Sequence, residues 1–104
     1  MKKITTGELK QKLENNDIKL VEVLSEEEYN KAHIKGAVNI PLEKIVTEAS
    51  DKFDKEDEIV VYCSDKNCTA SPTAAKKLKD SGFTAVYHYE GGKKAWKEAG
   101  LPME

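Results

Sequence analysis

The run Ile59-Val60-Val61-Tyr62 ends on Cys63 and passes at once into a polar segment, Ser64 to Ser71. Four successive branched or aromatic residues between polar stretches favour a strand buried on both faces. Such strands belong to parallel sheets covered on both sides by helices, because each parallel connection needs a crossover. The rest of the chain must then supply alternating strands and helices.

It does so. Thr5 and Glu8 have capping-box spacing, with Ile4 and Leu9 as the accompanying staple. Leu9 and Leu13 share one helical face. Ile18 to Leu24 reads as a second buried strand. Ser25 and Glu28 repeat the box and predict a short helix to about Ala32. Gly36 to Pro41 is a brief strand, and Leu42, Ile45, Val46 and Ala49 have helical spacing. Asp51 to Glu58 is a solvated loop. Beyond the polar segment, Ser71 is the expected cap of a helix with Pro72 in its first turn, and Gly82 is its stop. Ala85 to Tyr89 forms the next strand, and Gly91-Gly92 turns into a last helix carrying Ala95 and Trp96. The expectation is an α/β fold, a central parallel sheet flanked by helices, in one domain spanning 1–104.

Cys63 sits where such folds place ligands, beyond the carboxyl end of a central strand. A free thiol has a pKa near ~8.5, so little of it is thiolate at neutral pH. Main-chain N–H groups from the loop and the following helix start would favour the anion, and roughly 1.4 kcal/mol of such help lowers a pKa by about one unit. From Lys66 to Lys79 the chain carries four lysines and no carboxylate, which suits an anion. Asp65 dissents and is expected to point outward. The bland alternative is that Cys63 merely continues the strand as a small hydrophobe. Cys68, five residues on, is either a loop residue without a role, a thiol that attacks a sulfur carried on Cys63, or its disulfide partner. A zinc site from Cys63, Cys68, His33 and His88 has the ligand count but no recognised spacing, so no metal is expected. His33 is read as a structural hydrogen-bonding residue, and His88 as packing.

These pieces together resemble the rhodanese homology domain over nearly the whole chain. Leu20-Val21-Glu22-Val23, Glu28-Tyr29 and His33-Ile34-Lys35-Gly36-Ala37-Val38-Asn39-Ile40-Pro41 are similar to its first signature. Val60-Val61-Tyr62-Cys63 is similar to the strand that delivers its catalytic cysteine. Gly82-Phe83, Val86, Gly91-Gly92, Ala95-Trp96 and Ala99-Gly100-Leu101-Pro102 are similar to its closing signature. The resemblance implies a sulfurtransferase without cofactor. Its Cys63 takes sulfane sulfur from thiosulfate or a persulfide, carries it as a persulfide, and passes it to cyanide, a small thiol or a protein thiol. It also implies that Ser64, Asp65, Lys66, Asn67, Cys68 and Thr69 cradle the incoming anion. Two features depart from the family pattern. The loop is longer and has a second cysteine, as in a less common subgroup. The frequent Asp-x-Arg after the early strand is Glu22-Val23-Leu24, so its ion pair is expected to be missing.

Composition separates the function classes. All 17 basic residues are lysines, and with no arginine the chain lacks the bidentate fork that cysteine phosphatases use on an oxyanion. An arsenate-reductase-like redox role for Cys63 and Cys68 is less affected. A redox-sensing or non-catalytic binding module is the remaining alternative, since fold alone does not establish activity. The net charge of −2 and the lack of a basic-aromatic stripe argue against nucleic acid. No apolar run approaches the roughly 20 residues of a membrane helix, and Met1 to Thr6 has no apolar signal region. The expected compartment is the cytoplasm, where two cysteines read as chemistry or packing rather than as a staple.

Overall fold

The computed structural model describes residues 2–104. Five parallel strands, β1 (Lys2–Lys3), β2 (Lys19–Glu22), β3 (Val38–Asn39), β4 (Glu58–Tyr62) and β5 (Ala85–His88), form one sheet in the order β1-β5-β4-β2-β3. The helices are α1 (Thr6–Glu14), α2 (Glu26–Lys31), α3 (Ile45–Lys52, entered through a 3-10 turn at Leu42–Lys44), α4 (Ala70–Asp80) and α5 (Gly92–Glu98). The expected α/β fold with a central parallel sheet is therefore observed, and β4 is its middle strand.

Side-chain alternation along β4 divides the core. Ile59 and Val61 point into a cluster with Val21, Ala74, Ala75, Leu78, Phe83 and Val86, while Val60 and Tyr62 point into a second with Leu9, Leu20, Tyr89 and Trp96. Cys63 keeps the parity of Ile59 and Val61 and joins the first cluster. The second face is closed by α1 and α5. Ile4 and Leu9 are both buried there, and Thr5 makes the reciprocal capping box with Glu8. At Ser25 only half of the box forms: its hydroxyl accepts the Glu28 N–H, while the Glu28 carboxylate meets Lys31 instead.

Two boundaries differ from the sequence reading in ways that matter for the site. Helix α3 runs on to Lys52, because the apolar stripe of Ile45 and Ala49 continues into Phe53, which packs on the first cluster. Helix α4 starts at Ala70, so Ser71 lies inside its first turn rather than capping it. The cap position is Thr69, whose side chain makes no capping bond. The Ser71 hydroxyl has another use.

Candidate active site

The Cys63 side chain leaves the end of β4 toward the first turn of α4 and is 1% exposed. Ser71 Oγ lies 3.2 Å from its sulfur and 2.9 Å from His88 Nε2. Ser71 and His88 are buried too. The register explains the meeting. Val61 is paired with His88 across β4 and β5, and His88 shares the parity of Val86, so it faces α4. Burial lowers the His88 pKa, with the Lys3 charge acting in the same direction and Glu90 opposing it. Burial thus favours the neutral imidazole. The reading of His88 as packing and of Ser71 as a cap missed this chain. Its only signal was that two buried polar residues must find partners, and sequence does not show that they find each other.

Cys63 and Cys68 are joined as a disulfide, with Cα atoms 6.4 Å apart, which closes a short loop of the site rather than stapling distant elements. The expected cradle of loop N–H groups around the sulfur is not formed in this state. The Cys68 N–H donates to the Asp65 carbonyl at 3.2 Å, and the Asn67 N–H donates to Asp65 Oδ1 at 2.9 Å. A disulfide sulfur carries no charge to draw those N–H groups, and the Asp65 oxygens are the better acceptors. Asp65 is half-buried, and its carboxylate braces the loop through an exposed hydrogen bond from Asn67 N–H.

The loop is anchored from the other side by α5. The Lys93 N–H donates to the Cys63 carbonyl and the Lys94 N–H to the Ser64 carbonyl, both at 3.0 Å. Gly92 permits this approach. It has φ +63°, and a Cβ there would stand 2.5 Å from the Cys63 carbonyl oxygen. Asp65, Lys66 and Asn67 line a hollow of about 240 Å³ together with Gly91, Lys94, Ala95 and Glu98. Of the four lysines between positions 66 and 79, only Lys66 lines this hollow, and Lys76 is paired with Asp80. Lys94 supplies the second cation, which the sequence reading did not anticipate. Ser64 is exposed, Cys68 half-buried, and Thr69 exposed at the helix start.

On the opposite face, the ion pair expected to be missing exists in another form. Glu22 is fully buried; Tyr62 donates its hydroxyl to Oε1 at 2.8 Å, and the Lys93 ammonium lies 2.9 Å from Oε2. Oε2 makes no directed hydrogen bond, so the ammonium is its sole partner. Burial pushes the Glu22 carboxyl up, against the opposing pull of Lys93 and then Tyr62. The cation that the early strand lacks is thus supplied by α5. The His33 ring stacks on Tyr29 at 3.8 Å, and Nδ1 lies 2.9 Å from the Tyr29 carbonyl. Among the described residues no group of three His, Cys, Asp or Glu is arranged to hold a metal.

The Rhodanese-like domain family matches residues 5–99. The chain belongs to the rhodanese-like family. It is 32% identical to the thiosulfate sulfurtransferase GlpE of Coxiella burnetii over 92% of this chain and 87% of that protein. It is 35% identical to the HTH-type transcriptional regulator Rv0324 of Mycobacterium tuberculosis over 97% of this chain, but spans only 44% of the regulator. The solution structure of the rhodanese-like domain of the Alr3790 protein from Anabaena superposes with a TM-score of 0.90 at 31% identity, over all of this chain and 79% of that one. These likenesses place the chain with sulfurtransferases at the level of the family. Among the described residues no helix is long and apolar enough to cross a membrane.

Proposed function

We propose that the chain is a sulfurtransferase whose carrier is Cys63, with thiosulfate or a persulfide as donor and a thiol or cyanide as acceptor. The observation that carries this reading is the address of the Cys63 sulfur: the carboxyl edge of the central strand, beside a buried hydroxyl and within bonding reach of a second thiol. In the reduced protein the Cys63 thiolate attacks the outer sulfur of thiosulfate. The donor S–S bond breaks and sulfite leaves with its electron pair. An acceptor thiolate then attacks the outer sulfur of the persulfide, and the Cys63 thiolate departs. Ser64 to Thr69 form the rim over which the donor enters, with Lys66 and Lys94 as the local cations.

The disulfide favours a second use of the same pair. The Cys68 thiolate attacks Cys63 Sγ, the Cys63–Cys68 bond forms, and the outer sulfur leaves as hydrosulfide. Two external thiols, or one dithiol, then reduce this bond by successive exchange and leave as their own disulfide, restoring both cysteines. A purely redox-sensing module would close the same disulfide without ever holding sulfane sulfur. Intact mass after thiosulfate treatment of the reduced protein separates these readings. A gain of one sulfur atom that reductant removes, retained in Cys68→Ser and lost in Cys63→Ser, is the expected result. A loss of two hydrogens with no sulfur ever gained would leave only the redox module.

A further inference from the structure

We propose that His88 is a positioning residue of this site: through Ser71 it fixes a hydroxyl donor on the Cys63 sulfur. The proposal rests on Cys63 being the working thiol and says how its anion is held. The geometry is a buried line of three groups, Cys63 Sγ, Ser71 Oγ and His88 Nε2, with separations of 3.2 and 2.9 Å. In the disulfide the sulfur has no hydrogen to give. A hydrogen bond to the sulfur thus takes the Ser71 hydroxyl as its donor, and the proposal assigns His88 the Nε2–H tautomer, whose N–H then donates to Oγ. The neutral Nε2–H tautomer thus removes the choice a lone serine would have. It saturates Oγ from behind and leaves the hydroxyl proton aimed at sulfur.

The same orientation serves each state of the sulfur. Against a thiolate it is a charge-assisted hydrogen bond in a dry setting, the strongest kind available there. When persulfide or disulfide breaks, the departing Cys63 thiolate meets a donor already in place, with no reorientation needed. This matters more in this chain because no guanidinium exists to do the work and because two of the loop N–H groups, those of Asn67 and Cys68, are engaged by Asp65 in the disulfide state. The charges around the line are few. Lys3 on β1 and the carboxylate of Glu90 after β5 flank His88, Asp65 and Lys66 lie in the loop, and the first turn of α4 has no carboxylate.

The test uses the reduced full chain carrying Cys68→Ser, so that one thiol reports. Iodoacetamide alkylation at pH 6 reads the thiolate fraction of Cys63. Ser71→Ala should slow it about tenfold and His88→Leu about fivefold, whereas His88→Gln, which keeps an N–H near the Nε2 position, should stay within about twofold of the parent. A His88→Leu rate equal to the parent would reduce His88 to packing and overturn the proposal. A second readout needs no substitution at the site: long-range proton–nitrogen correlation on the wild-type chain should find hydrogen on Nε2, and hydrogen on Nδ1 alone would overturn the proposal equally. Failure to load sulfur from thiosulfate would sink the sulfur-transfer reading and leave these rates unchanged, so the two failures are distinct.

Discussion

Two buried polar clusters flank the carboxyl end of the sheet, one on each face, and they are built on opposite principles. On one face Glu22, Tyr62 and Lys93 bury a formal charge and satisfy it by an ion pair and a hydroxyl. On the other, Cys63, Ser71 and His88 bury only neutral groups in the disulfide state. The first cluster is a brace. It ties the ends of β2 and β4 to α5, the helix whose first N–H groups hold the Cys63 and Ser64 carbonyls. The second carries the sulfur proposed as the reacting atom, and its low polarity leaves that sulfur as the place where charge can appear. A charged brace on the reactive face would compete with that charge. Segregating the two across the sheet lets the fold use both.

The largest way to break the contrast is to remove the reactive atom while leaving the brace intact. Cys63→Ser should lower thiosulfate-dependent sulfur transfer by at least about a thousandfold, with an unfolding midpoint close to that of the reduced wild type. Retained transfer would mean that the neutral cluster is not the reactive one. Next comes the brace itself. Lys93→Met leaves Glu22 buried without a cation, a change that costs about 3–5 kcal/mol in buried pairs and is read from urea unfolding. The sign of its pH dependence follows from Glu22, whose pKa burial already raises. A raised folded-state pKa gives stability that is full below the ordinary carboxylate range and lost as pH rises through the folded value. Without Lys93 that loss should deepen toward neutral pH, and adding Glu22→Gln should remove the pH dependence that Lys93→Met introduces.

Gly92 joins the two clusters, so its substitution probes both at once. Gly92→Ala places a methyl at positive φ and 2.5 Å from the Cys63 carbonyl oxygen. Strain of this kind costs about 1–3 kcal/mol. Sulfur transfer should fall more than stability does, because the displaced backbone is that of Cys63 and Ser64. A variant that loses stability but keeps its full transfer rate per folded molecule would show that the α5 anchor serves only the fold.

What was legible in the sequence follows the same division. The β4 run, the Thr5 capping box and the alternation of strands with helices were readable because each rests on neighbours within a few residues. The place of Cys63 was readable for the same reason, as a polarity change at a strand end. The Glu22–Lys93 pair spans 71 positions and the Ser71–His88 contact 17, and neither has a local pattern. A serine before proline reads as a cap, whereas α4 begins two residues earlier than that cap implies and turns the Ser71 hydroxyl toward sulfur. The capture of the Asn67 and Cys68 N–H groups by Asp65 has no pattern in the sequence that would separate it from a cradle around the sulfur.

The smallest effect distinguishes the neutral cluster from the charged one by acid rather than by substitution of the brace. Burial holds the folded-state pKa of His88 below its ordinary value of 6.5. The unfolded chain therefore binds a proton there before the folded chain does. Stability from this group is full above that ordinary value and is lost as pH falls toward the lower folded one. One proton limits the slope to ~1.4 kcal/mol per pH unit. Glu22 acts oppositely in acid, since its raised pKa favours the folded state as protons bind, so the net curve of the wild-type chain hides both contributions. His88→Gln removes the imidazole and leaves Glu22 untouched. The difference between variant and wild-type unfolding free energies should thus be flat above neutrality and move in favour of the variant as pH drops below about 6.5. A difference that stays flat throughout would mean that His88 takes up its proton as readily folded as unfolded, and the second cluster would then not be the neutral one.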